Sequence, residues 1–104
     1  SSTPEDFINR FCTKLNRSDI IETCLYVIKK SNEYAIVAEN APPSIAAGVI
    51  FLVSNICDLN ISKKNISKIC EISEVTINKC YKKLIKYKDH IFPMEILEKL
   101  KNSG

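Results

Sequence analysis

Glycine is nearly absent. Gly48 and Gly104 are the two in 104 residues. A loop that cradles phosphates on backbone N–H groups needs several glycines close together, so nucleotide binding of that kind is excluded. There is no tryptophan, one methionine and one histidine. That histidine, His90, follows Asp89 in a stretch that reads as a linker, and no nucleophile is placed beside it; an enzyme is not expected. Cys12, Cys24, Cys57, Cys70 and Cys80 form no C-x-x-C pair. Zinc-binding and thioredoxin-like motifs are therefore missing, and no metal or cofactor is expected in this chain. Each cysteine falls on or beside an apolar stripe, as small core residues do, which favours a reducing compartment. No run alternates with period two for long enough to make a strand. No apolar run reaches the roughly 20 residues of a membrane span, so no membrane partner is expected. Charge of one sign is scarce too: a net +3 does not by itself argue for nucleic acid.

What is present is helical. The segment from Pro42 to Cys57 is apolar on nearly every side, which suits a helix wrapped by others and not a surface helix. Pro43 fits a first turn, where its missing N–H costs nothing. Ala46, Ala47 and Gly48 allow close approach, and Val49 to Val53 fill space on all flanks. Before this spindle, Thr3-Pro4-Glu5-Asp6 reads as a helix start: a hydroxyl cap, a proline, then two acids at the positive end. Phe7, Ile8, Phe11, Cys12 and Leu15 carry that helix to about Leu15. A second is expected to start at Ser18 and to run through Ile20, Ile21, Cys24, Leu25, Val27 and Ile28 to Lys29 and Lys30. Asn32 to Ala41 reads as a looser connector whose Tyr34, Ile36 and Val37 tuck against the core. After the spindle, Ser62 caps a short fourth helix with Ile66, Ile69 and Cys70 at core spacing. Glu71-Ile72-Ser73 is a tight turn. Ser73 caps a fifth helix to about Lys86, with Ile77, Cys80, Tyr81, Leu84 and Ile85 inward. His90 to Pro93 reads as a linker. A tail helix from Met94 to about Lys101 buries Ile96, Leu97 and Leu100. The fold class is all-α: five main helices around the third, then a short tail helix. Residues 1–92 form the domain and 93–104 the tail. The tips, Ser1-Ser2-Thr3 and Asn102-Ser103-Gly104, are expected to fray.

Two helices joined as briefly as the fourth and fifth read as a helix-turn-helix. Charge is uneven here. Lys63, Lys64, Lys68, Lys79, Lys82, Lys83, Lys86 and Lys88 face only Glu71 and Glu74, the footprint of a phosphate-contacting surface. On the fifth helix Val75, Asn78, Lys79 and Lys82 share one face, opposite Ile77, Tyr81 and Leu84. A recognition helix has this form, anchored on one side and polar on the other. Asn78 could bridge an adenine through N6 and N7, and Val75 could pack on a thymine methyl. Lys79, Lys82 and the hydroxyls of Ser73 and Thr76 would meet phosphates. Ser44, near the start of the central helix, is a further phosphate candidate, because helix N-termini favour anions. Glu74 works against DNA contact. The competing reading is a solvated, lysine-rich helix face.

Three stretches together resemble a known family. Pro4 to Cys12, with its Arg10-Phe11-Cys12, is similar to the opening helix of the second cyclin-like repeat of general transcription factor IIB and its archaeal counterpart. Ser44-Ile45-Ala46-Ala47-Gly48-Val49-Ile50-Phe51 resembles that repeat's S-I-A-A-A-A-I-Y. Ile69-Cys70 through Lys82, with Val75-Thr76-Ile77-Asn78, resembles I-A-G-V-x-x-V-T-I-R-x-x-Y-[RK]. Phe92-Pro93 is similar too.

The resemblance implies a five-helix cyclin fold. It implies a non-catalytic role in RNA polymerase II transcription initiation, in the nucleus, bridging TATA-binding protein on promoter DNA to the polymerase. It places the helix-turn-helix in the major groove upstream of the TATA element, with Val75 and Asn78 at the two main base-reading positions. The sequence departs from the family twice. Asn78 stands where the family has arginine, so adenine-tolerant reading is expected in place of GC-rich reading. Glu71 stands where many relatives have glycine, so a slightly different turn is expected. The family's zinc ribbon and first repeat are not in this sequence, which reads as one monomeric repeat of a longer protein. The alternative is a cyclin-box protein–protein adaptor that does not bind DNA.

Overall fold

A computed structural model describes residues 2–103. Ser1 and Gly104, and with them the outermost of the tips expected to fray, lie outside the described residues. Among those described the structure is helical without strands: α1 (Pro4–Lys14), α2 (Ile21–Glu33), α3 (Pro42–Ile56), α4 (Lys63–Cys70), α5 (Glu74–Ile85), α6 (Lys88–Ile91) and α7 (Met94–Asn102). The five main helices, α1 to α5, take the cyclin-like arrangement.

Local chemistry starts and stops these helices. Thr3 is not frayed. Its hydroxyl accepts from the Asp6 N–H at 3.2 Å, and the Asp6 carboxylate accepts from the Thr3 N–H at 3.0 Å. This reciprocal box satisfies two donors that a helix start leaves unpaired. The second helix does not begin at Ser18 as expected. A 3₁₀ turn (Ser18–Ile20) precedes it, Ser18 makes no cap, and α2 runs on to Glu33, taking in part of the expected connector. The helix stops are unusual because glycine is missing. Asn16, Ala35, Asp58, Asn60 and Glu71 all have φ between 52° and 59°. Most chains place glycine or asparagine in this left-handed conformation.

The core is α3. From Ile45 to Ser54 only Phe51 is less than buried, and the helix packs most extensively on α5, then on α1, α2 and α4. The one polar side chain inside it has a task. Ser54 Oγ accepts from the Ile61 N–H at 3.2 Å and donates to the Ile61 carbonyl at 3.1 Å, tying the α3–α4 connector to the spindle. Gly48 is where α3 meets α5. A Cβ there would lie 2.7 Å from Cys80 Sγ and 2.8 Å from Cys80 Cβ.

Three expectations need correction. Tyr34 is 52% exposed and lies against the His90 ring, at 5.7 Å between centroids, although Val37 of the same connector is buried. The linker after α5 is instead a short helical turn, and its Ile91 and Phe92 complete the core beneath α2. The tail helix α7 buries nothing fully: Ile96 and Leu97 are half-covered and Leu100 is 39% exposed. Ile96 and Leu97 pack partly against the core, while Met94, Leu97 and Leu100 line an open groove of 640 Å³ with Ile56, Tyr81 and Ile85. No helix among the described residues is long and apolar enough to cross a membrane.

Candidate nucleic-acid interface

The helix-turn-helix is present and capped at both of its starts. Ser62 Oγ accepts from the Asn65 N–H at 3.0 Å to open α4. Ser73 Oγ accepts from the Thr76 N–H at 3.1 Å to open α5. Between them Glu71 adopts φ 57° and ψ 39°. Glu71 takes up the conformation that glycine tolerates best, with the strain that a Cβ brings there.

The fifth helix divides as the spacing predicts. Ile77, Cys80 and Leu84 are buried. Val75 is 64% exposed, and Lys79 and Lys82 are exposed beside it. Among the described residues neither lysine has a carboxylate within ion-pair distance. Lys82 also sits in the last turn of α5, where the helix dipole suits a cation. Asn78 points the same way but is half-buried. Its Oδ1 accepts from Lys63 Nζ of α4 at 3.3 Å. That ammonium in turn lies 5.5 Å from the centre of the Phe51 ring, which meets Tyr81 edge-on at 4.9 Å. The two helices are thus linked through the side chain expected to read a base.

Other candidate residues are placed differently. Ser73 and Thr76 hold each other: the Ser73 hydroxyl donates to Thr76 Oγ1 at 2.9 Å while capping the helix. Ser44 is half-buried in the first turn of α3, one turn before Gly48. Ser44 therefore lies on a different helix from Val75, Asn78, Lys79 and Lys82. Lys83 is removed from the basic face. Its Nζ bonds Glu39 at 2.8 Å and Asn40 at 3.0 Å, in the connector before α3. The sequence could not show this pair, because the acid lies more than forty residues away. In the sequence Lys63 is one of many lysines. One signal could have singled it out: Lys63 and Lys64 open α4, where the positive helix end disfavours cations.

No group of side chains fit to hold a metal occurs among the described residues. All five cysteines are free thiols. Burial pushes Cys70 up to about 12 and Cys80 up to about 11, so both stay protonated and inert.

Comparison with known proteins agrees with this architecture. The sequence model of the transcription factor TFIIB repeat matches residues 1–87. A putative transcription initiation factor IIB-like protein of Acanthamoeba polyphaga mimivirus is 36% identical over 88 residues, covering 84% of this chain and 19% of that protein. Transcription initiation factor IIB of Dictyostelium discoideum is 34% identical over 92 residues, covering 88% of the chain and 28% of the relative. That of Encephalitozoon cuniculi is 34% identical over 97 residues, covering 91% and 31%. The chain thus spans between a fifth and a third of the length of these relatives. With its helices in the cyclin-like order and the family match running from α1 through the end of α5, the chain belongs to the transcription factor TFIIB repeat family.

Proposed function

We propose that this chain is the second cyclin-like repeat of a factor IIB-like protein, residues 1–92 with a tail at 93–104. It acts in the nucleus by non-covalent assembly. It binds TATA-binding protein and promoter DNA and helps to recruit RNA polymerase II; it is not an enzyme. Its helix-turn-helix enters the major groove with α5, where Val75 and Asn78 meet base edges and Lys79 and Lys82 meet phosphates. Ser73 and Thr76 lie where backbone phosphate would pass the start of α5. Ser44 is the least supported of the phosphate contacts, being set apart on α3.

The observation that carries this reading is the outer face of α5. A large apolar side chain, Val75, stands 64% exposed at the head of a row with Lys79 and Lys82, which have no carboxylate partner among the described residues, on a helix buried along its other side. A thymine methyl would give this exposed valine an apolar partner.

Binding of the chain to duplex DNA at several salt concentrations tests it. Each phosphate neutralised by a lysine contributes about −0.9 to the slope of log K against log salt. Lys79→Ala and Lys82→Ala should each flatten the slope by about that amount and weaken all sequences alike. Salt-insensitive binding, or none, refutes the proposal and returns the chain to a protein–protein adaptor.

A further inference from the structure

We infer that Lys63 of α4 is a specificity-determining residue, and that Lys63 and Asn78 together form a donor pair that reads guanine. The inference rests on the DNA-binding reading proposed above.

Lys63 Nζ lies 3.3 Å from Asn78 Oδ1. Lysine can only donate, so the amide atom facing it must be the carbonyl oxygen. The orientation of the amide is then fixed, with its NH₂ group turned away from Lys63. An asparagine that bridges adenine uses both ends: Oδ1 accepts from N6 while Nδ2 donates to N7. Here the accepting end is already engaged, and a cation stands beside it. Adenine would have to bring its N6 donor toward an ammonium. One lone pair of Oδ1 is left, but beside the ammonium; what the pair chiefly offers outward is donors, two on the Asn78 amide and those left on the Lys63 ammonium. In the major groove guanine presents two acceptors side by side, O6 and N7. The pair therefore offers in two side chains the donor set that a single arginine carries in one.

Two further observations show that Lys63 is held and not waving in solvent. Its ammonium sits 5.5 Å from the Phe51 ring centre, and the negative face of an aromatic ring attracts a cation. Phe51 is itself fixed edge-on against Tyr81 at 4.9 Å. Lys63 also occupies the first turn of α4, which contains no acid to offset it. A cation there is locally unfavourable, and such local violations concentrate at functional positions. Among the described residues no carboxylate pairs with Lys63.

The test is selection from a duplex library with randomised bases at low salt. It compares the chain with Lys63→Ala, Asn78→Ala, the double variant, and Asn78→Arg on the Lys63→Ala background. The chain should favour guanine at one position by roughly 5- to 150-fold, the range of one good bidentate contact. Lys63→Ala and Asn78→Ala should each lose that preference at the same position, and the double variant should lose no more than either. Asn78→Arg should restore guanine without Lys63. A role confined to packing would not move a base preference to and fro in this way. Salt-sensitive binding with an adenine preference, or with a guanine preference that survives Lys63→Ala, overturns this inference and leaves the DNA reading standing. A Lys63→Ala variant that weakens all sequences equally, with the salt slope flattened by about 0.9, does the same, because it makes Lys63 a phosphate contact. Absence of salt-sensitive duplex binding overturns both.

Discussion

Gly48→Ala tests the contact on which the position of α5 depends. The new Cβ would sit 2.7 Å from Cys80 Sγ, 2.8 Å from Cys80 Cβ and 3.6 Å from the Tyr81 nitrogen. The thiol could rotate away, but a Cβ is fixed to its backbone, so relief requires α3 and α5 to separate. Two effects oppose each other. Alanine in a helix interior is better than glycine by about 1 kcal/mol. Forcing an extra methyl into a closed core costs about 1–3 kcal/mol. Both residues are fully buried, and α3–α5 is the most extensive helix pair in the molecule. The packing cost should therefore match or exceed the propensity gain, leaving a net loss of about 0–2 kcal/mol, the packing range less the helix gain. In a domain of this size that lowers Tm by up to about 15 °C. Urea unfolding followed by circular dichroism measures it. Cys80→Gly on the Gly48→Ala background removes both contacting atoms, so the double variant should be more stable than the two single losses added together. A Gly48→Ala protein with a raised urea midpoint would refute the reasoning. The helix gain would then have won, and the close approach would not constrain the fold. The family pattern S-I-A-A-A-A-I-Y that this stretch resembles has alanine at this place.

Two further outcomes are expected. Glu71→Gly should stabilise the chain by about 0.5–1 kcal/mol, because Glu71 holds a left-handed conformation that strains a Cβ, and the urea midpoint reads it. The acid limb of the stability curve should depend on three carboxyls that lie below their ordinary range. Asp6 is held there by the Thr3 N–H and hydroxyl, Asp19 by the Arg17 guanidinium, and Glu39 by Lys83. A depressed carboxyl stabilises the fold above its unfolded pKa, about 4, and the contribution is lost as pH falls through the lower, folded values. Tm should therefore be level above about pH 5 and fall below about pH 4. The combined Asp6→Asn, Asp19→Asn and Glu39→Gln variant should show a shallower fall, measured by thermal melts across that range.

Much of the fold was legible because helix periodicity and capping are local. The Thr3, Ser62 and Ser73 starts are each set by a residue and its neighbour three positions on, and the all-round apolar run from Ile45 to Val53 has only one place to go. The outward face of α5 was legible for the same reason: once Ile77, Cys80 and Leu84 point in, Val75, Lys79 and Lys82 must point out. The start of α2 was misread because Ser18 looks like a cap yet heads a 3₁₀ turn, and α7 because an apolar stripe does not say whether anything covers it.

By itself the sequence determined that there are five main helices, the spindle at the centre and the ridge of Val75, Lys79 and Lys82, since each follows from spacing along a single helix. Only the tertiary structure decided which lysines are free and which are bound. Lys83 is neutralised by Glu39, forty-four positions away, and Lys63 reaches Asn78 across the turn between α4 and α5. Charges act through space, and the distances between them exist only after the chain has closed on α3.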